Sequence, residues 1–151
     1  MPKILVTIPE KRFSDAEIVA VQTTLENCYR KLLGENQNPE FFWSLLPAEQ
    51  SYVAGQQDEI FVILVEVANG FDQDRRESCL MEFNRVFADA AGISNQKPLV
   101  TFADTSVIEA YMQANRNRLK SWSKLRFLLA TIFHARRSKK TKGYAALRTN
   151  L

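Results

Sequence analysis

Histidine and cysteine are almost missing from this sequence, with one His and two Cys among 151 residues. His134, Cys28 and Cys79 form no cluster of the spacing a metal centre needs, so neither a metal nor another cofactor is implied. The two thiols both fall in helical patterns and read as buried, reduced cysteines of a cytoplasmic protein. Long apolar runs are also missing. The longest, Ile60–Val65 and Phe127–Phe133, are far short of the 18 or more residues of a spanning helix. The opening MPKILVTIPE has one early lysine and no extended apolar core, so no secretory signal is expected. Five Gly and five Pro exclude a collagen-like or low-complexity chain. The length fits one domain.

The last absence is the most informative: no acidic residue follows Glu109. The net charge of +3 therefore splits. Residues 1–115 hold 9 basic and 17 acidic side chains, for −8, and residues 116–151 hold 11 basic ones, for +11. An acidic body (1–115) and a basic extension (116–151) are read separately.

Within the body the chain repeats once, so that it divides into units 1–58 and 59–115. A shift of 58 positions lays KILVTI (Lys3–Ile8) on FVILVE (Phe61–Glu66), Phe13 on Phe71, Ser14 on Asp72 and Gly34 on Gly92. It also lays FFWSL (Phe41–Leu45) on LVTFA (Leu99–Ala103). Ile4, Leu5, Val6 and Ile8 make a short, β-branched run suited to a buried strand. Ser14, with Glu17 three residues later, predicts a capping box. Ile18, Val21, Leu25, Cys28 and Leu32 then predict one apolar helix face, closed by Gly34. The second unit repeats this with Asp72 as cap, a stripe of Cys79, Leu80, Phe83, Val86, Phe87 and Ala90, and Gly92 as stop. Each unit closes with a strand, and a crossover of this length favours parallel pairing. The expected fold is α+β: two tandem β-α-β units forming a four-stranded sheet with two helices on one face, plus a C-terminal helical tail. The sheet's bare apolar face predicts self-association.

Pro2 is the residue that can carry chemistry. Removal of Met1 before a small residue would leave a secondary amine at the start of a buried strand. Desolvation and nearby positive charge push such an amine down toward neutrality, where it can shuttle protons.

These residues resemble the tautomerase superfamily, which is built from β-α-β units and uses an amino-terminal proline. The matching features are Pro2, the strand KILVTI and the segment PEKRFSD (Pro9–Asp15) leading into the first helix. Arg12 stands ten residues after Pro2, as does a substrate-binding arginine of the small members. The two-unit length and the link VAGQQDEIFVILVEV (Val53–Val67) are most similar to the long, fused members, especially the cis-3-chloroacrylic acid dehalogenase group. The resemblance covers roughly residues 1–112. It implies a homotrimer and an isomerase acting on a small α-keto or unsaturated carboxylic acid, with Pro2 as general base and acid. Hydration or dehalogenation would be side activities. The dehalogenase group's paired arginines read Ala68 and Phe71 here. Its first-helix histidine reads Tyr29, its second-unit tyrosine reads Thr101, and a later glutamate survives as Glu109 if a gap is allowed. Tyr29 and Glu109 are therefore the further candidate proton donors.

Arg75 and Arg76 are candidate replacements for the missing arginines, alongside Arg12, as binders of the substrate carboxylate. Position 76 overlays Ile18 on an apolar stripe, and a cation in the first helical turn opposes the macrodipole by up to about 1 kcal/mol. Two unfavourable placements suggest a carboxylate ligand held by an arginine fork; the alternative is a pair of side chains reaching solvent along their stems.

In the extension, Leu119, Trp122, Leu125, Leu129, Ile132 and Phe133 recur at helical spacing, followed by the basic run ARRSKKTKG. The readings are an amphipathic helix packed on its own body or a neighbouring subunit, contact with an anionic membrane, or contact with nucleic acid. The second functional hypothesis follows: a catalytically weak tautomerase-fold binding protein acting through this basic tail.

Overall fold

A computed structural model describes residues 1–118 and 122–147. The chain runs β1 (Lys3–Pro9), α1 (Asp15–Leu33), β2 (Glu40–Leu46), a short hairpin of β3 (Tyr52–Val53) and β4 (Gln56–Gln57), β5 (Phe61–Val67), α2 (Gln73–Ala91), β6 (Pro98–Asp104), α3 (Thr105–Arg118), α4 (Trp122–Lys142) and β7 (Ala146–Leu147). The repeat is visible element by element. Lys3 maps to Phe61, Asp15 to Gln73 and Glu40 to Pro98, each displaced by 58 positions.

Local chemistry sets these boundaries. Ser14 Oγ accepts from the Glu17 N–H at 3.3 Å and Glu17 Oε2 accepts from the Ser14 N–H at 2.7 Å, which is the expected capping box. Asp72 caps α2 through the Arg75 N–H at 2.8 Å. Gly92 ends α2 at φ 62°, in the left-handed region that favours glycine.

Both β-α-β units pair their strands in parallel, β1 with β2 and β5 with β6, and the units join through an antiparallel β1–β5 seam. The sheet order is β6-β5-β1-β2-β7. Ile4, Val6, Ile8, Phe41, Trp43, Phe61, Ile63, Val65, Val100 and Phe102 point to one face and form a single core with α1 and α2. Cys28 and Cys79 lie in this core as free thiols, and burial pushes Cys28 up to about 11. Ala90 of the expected α2 stripe is exposed; Ala88 and Ala91 are buried instead. Side chains alternate across a sheet, so Leu5, Phe42, Val62, Leu64 and Leu99 face the other side, where the first four are half-buried and Leu99 is 63% exposed.

The extension is helical, as expected, and also adds to the sheet. A fifth strand, β7, pairs in parallel with the outer edge of β2, with the Trp43 N–H donating to Ala145 O at 2.8 Å. Tyr144 is buried and packs edge-on against Trp43, with ring centroids 6.3 Å apart, and its hydroxyl donates to Asp15 Oδ1 at 2.7 Å. The body therefore recruits residues 143–147. The stripe on α4 behaves differently from a packing face: Leu125, Leu129, Ile132 and Phe133 are exposed, and the helix instead buries the small residues Ala135 and Ser138. Leu119 lies outside the described residues, as does the side chain of Trp122. Among the described residues no helix is long and apolar enough to cross a membrane.

Candidate active site

Topology brings four chain segments to one end of the sheet. Because β5 runs antiparallel to β1, the end of β5 lies beside the start of β1. The helix α1 crosses back along the sheet, so its last turns reach the same edge. Since β6 is parallel to β5, it delivers the start of α3 there as well.

The result is a cavity of about 390 Å³. Pro2 just before β1 and Lys3 at its start, Tyr29 and Leu33 from α1, Glu66 and Val67 from β5, Phe71 from the following loop, and Thr105 and Glu109 from α3 line it. Three expected residues thus meet in one place: Pro2, Tyr29 and Glu109.

Tyr29 is buried, and its hydroxyl donates to the main-chain oxygen of Glu66 at 3.2 Å. Burial, with the nearby Glu66 carboxylate adding to it, pushes the phenol up to about 12, so it is neutral at ordinary pH and keeps a proton to donate. Glu66 itself is 5% exposed, with its carboxylate against the first residue of β1. Its Oε2 accepts from the Lys3 N–H at 3.0 Å and lies 3.4 Å from Lys3 Nζ. The sequence reading passed over Glu66 as the end of a strand. The signal was present: an acidic residue between Val65 and Val67 interrupts an otherwise apolar run.

The arginines are distributed elsewhere. Arg12 follows the far end of β1, a seven-residue strand of about 20 Å at the usual rise. There its Nε is 3.2 Å from Glu59 Oε1 and its guanidinium stacks on Phe13. Arg75 flanks the cavity: it lies over Phe71 at 5.3 Å from the ring centroid and donates to Leu32 O at 2.9 Å. Arg76 is committed to the fold. It donates to Phe102 O at 2.8 Å and Phe71 O at 3.2 Å, and pairs with Asp104 at 2.5 Å. The carboxylate beside Arg76 is thus Asp104 of its own chain, where the sequence suggested a bound ligand. Among the described lining residues Lys3 has the only cationic side chain, and Glu66 accompanies it.

The Arg76 fork ties α2 to the end of β6. Arg76→Ala is expected to lower stability by about 1–3 kcal/mol in denaturant unfolding, because two main-chain carbonyls and a carboxylate lose their donor. Hydrogen bonding from Arg76 holds the Asp104 carboxyl below its usual range. A carboxyl depressed in the folded state stabilises above its unfolded value and loses that contribution as pH falls through the folded one. Acid unfolding of Asp104→Asn should therefore show a weaker pH dependence below about pH 4 than the parent. An unchanged acid limb would show that the pair does not couple to folding.

No protein-family model matches the chain, and no curated protein sequence does either. Solved structures do match. An R7 fused 4-OT, a wild-type asymmetric trimer, superposes with a TM-score of 0.61 at 18% identity, over 68% of this chain and 85% of that one. The chain has the tautomerase fold in its fused, two-unit form. N1, a member of the cis-3-chloroacrylic acid dehalogenase family, superposes with a TM-score of 0.62 at 14% identity, over 68% of this chain and 73% of that one. Pt0534 inactivated by 2-oxo-3-pentynoate gives 0.61 at 13% identity, over 68% and 84%. At these identities the likeness speaks for the tautomerase fold and its paired β-α-β units alone.

Proposed function

We propose that this protein is a tautomerase-like isomerase in which Pro2, freed by removal of Met1, moves a proton on a small enolisable carbonyl acid. The observation that carries this reading is the cavity at the start of β1, where Pro2, Tyr29 and Glu109 meet. A neutral secondary amine takes the proton from one position of the enol or keto form and returns it at another. The Tyr29 phenol, which stays protonated at ordinary pH, becomes a donor to the oxygen on which charge develops once its hydrogen turns from Glu66 O. Arg75, stacked over Phe71 beside the cavity, would anchor the substrate carboxylate only by turning from Leu32 O into it.

Arg12 lies too far along β1 to serve the cavity of its own chain, and it belongs to the site only if copies assemble. The half-buried apolar face carrying Leu5, Phe42, Val62 and Leu64 favours assembly through the sheet. The fused 4-OT described above is a trimer, and a homotrimer is the assembly proposed here. The test of the whole reading is the intact mass of the purified full chain together with turnover of phenylenolpyruvate by Pro2→Ala. Retained Met1 makes the Pro2 nitrogen an amide and overturns the reading.

A second reading is favoured by the exposed face of α4. Leu125, Leu129, Ile132 and Phe133 stand open over its first half, and Arg136, Lys139 and Lys140 continue the same face toward its end. An apolar strip followed by cations suits an anionic membrane surface, and a tautomerase-fold binding protein would use it so. Cosedimentation with phosphatidylserine vesicles should then fall at least tenfold in Phe133→Asp and weaken with salt. Equal binding by both proteins would remove this reading, as would preferential salt-sensitive binding to DNA over vesicles.

A further inference from the structure

The carboxylate of Glu66 is the feature of the cavity that the expected chemistry leaves unused. A strand end flanked by Val65 and Val67, both buried, would be satisfied by another apolar residue, and a charge removed from water is costly unless compensated. Its compensation comes from the first residues of β1. The β1–β5 register sets Ile4 against Val65 and so Lys3 against Glu66, and both contacts of Lys3, main chain and side chain, fall on Glu66 Oε2.

We propose that Glu66, acting with Lys3, is the positioning residue that sets the charge state of the Pro2 amine. The inference rests on Pro2 being the amino-terminal proton carrier. Covalent geometry keeps the Pro2 nitrogen within about 3.7 Å of the Lys3 nitrogen. The Lys3 nitrogen is 3.0 Å from Glu66 Oε2, so the amine and the carboxylate lie within roughly 7 Å of each other. An opposite charge at that range favours the ammonium form of the amine, against the desolvation and the Lys3 ammonium that disfavour it. The groups facing the amine are Lys3 on its own strand, Glu66 on β5, Glu109 on α3 and the uncharged Tyr29 phenol on α1. Glu66 is the buried one of the two carboxylates, and it is tied to β1 by hydrogen bonds, whereas Glu109 is exposed. It therefore holds Pro2 protonated to a higher pH than Lys3 alone would allow. The amine then acts as proton donor over part of the neutral range and as acceptor above it.

The experiment follows the amine directly. In the Met1-free full chain labelled with ¹⁵N-proline, the Pro2 resonance is titrated by NMR, and the pH–rate profile is measured with phenylenolpyruvate. Glu66→Gln should lower the midpoint of the amine by about one unit and move the matching limb of the profile with it. Glu66→Asp, which keeps the charge but withdraws it, should give a smaller shift in the same direction. In the parent protein, which needs no substitution to fold, the Glu66 carboxyl ¹³C signal should show an inflection at the pH where Pro2 titrates. A Pro2 midpoint unmoved in Glu66→Gln, or no shared inflection in the parent, overturns the proposal while leaving the catalytic proline intact. A shifted midpoint with full activity in Pro2→Ala leaves the charge coupling standing and removes the proton-carrier reading. Retained Met1 removes both.

Discussion

Pro2→Ala should reduce turnover of phenylenolpyruvate by two to four orders of magnitude, the usual worth of a positioned acid–base group. The loss should appear in kcat and leave KM within a few-fold, because alanine keeps a terminal amine but loses the ring that fixes its direction. Pro2 immediately precedes β1, and Glu40 donates its N–H to Pro2 O at 2.8 Å, so the main chain at this point is held by β2. A substitution there keeps the strand in place, and the circular dichroism and melting midpoint of the variant should match the parent. Covalent labelling gives an independent reading. The nitrogen lone pair of a terminal secondary amine adds to the alkyne carbon of 2-oxo-3-pentynoate remote from the ketone. The nitrogen loses its proton and the neighbouring carbon gains one, so the adduct weighs the same as the whole reagent. The parent should carry one such adduct on its first peptide. Activity in Pro2→Ala equal to the parent, with labelling elsewhere, would sink the assignment whatever the fold.

The parts of this site that the sequence displayed are those written locally. A 58-residue offset, a capping box at Ser14 and Glu17 and a stop at Gly92 are all encoded within a few residues of where they act, and each element lies where the pattern puts it. The meeting of Pro2, Tyr29 and Glu109 was legible only through resemblance, because it depends on β5 running antiparallel to β1. Arg76 shows the limit from the other side. Its position was recognisably costly, but its partner, Asp104, is 28 residues away at the end of another strand. Glu66 was visible as an interruption in an apolar run, yet its meaning comes from Lys3, which stands opposite only once the seam between the two units has formed. On α4 helical spacing puts Leu125, Leu129, Ile132 and Phe133 on one face, but another face packs against the body. The face that packs is chosen by Ala135 and Ser138, small enough for close approach, with Ser138 Oγ accepting from the Ala146 N–H at 2.7 Å.

Tyr144→Ala should destabilise the protein by about 3–5 kcal/mol, the range for truncating a large buried aromatic. For a chain of this length that is a melting midpoint lower by roughly 6–20 °C. An appendage that the fold did not need would show no such effect. Tyr144 is 1% exposed, rests edge-on against Trp43, and shares with β7 the task of covering the outer edge of β2. Its loss opens a cavity beside Trp43 and frees the end of α4, so the exposed stripe of that helix loses its fixed direction as well. Tyr144→Phe separates the two contributions. It keeps the ring and gives up the hydrogen bond to Asp15, a cost of about 0.5–1.5 kcal/mol. Burial and the Asp15 carboxylate push the Tyr144 phenol above its ordinary value. An acid raised in the folded state stabilises fully below its unfolded value and loses that contribution as pH climbs past it. The parent should therefore lose stability above about pH 10 more steeply than Tyr144→Phe. Parallel alkaline limbs in the two proteins would mean that the phenol is not held as the structure places it, and the claim that β7 and Tyr144 belong to the core would fall with it.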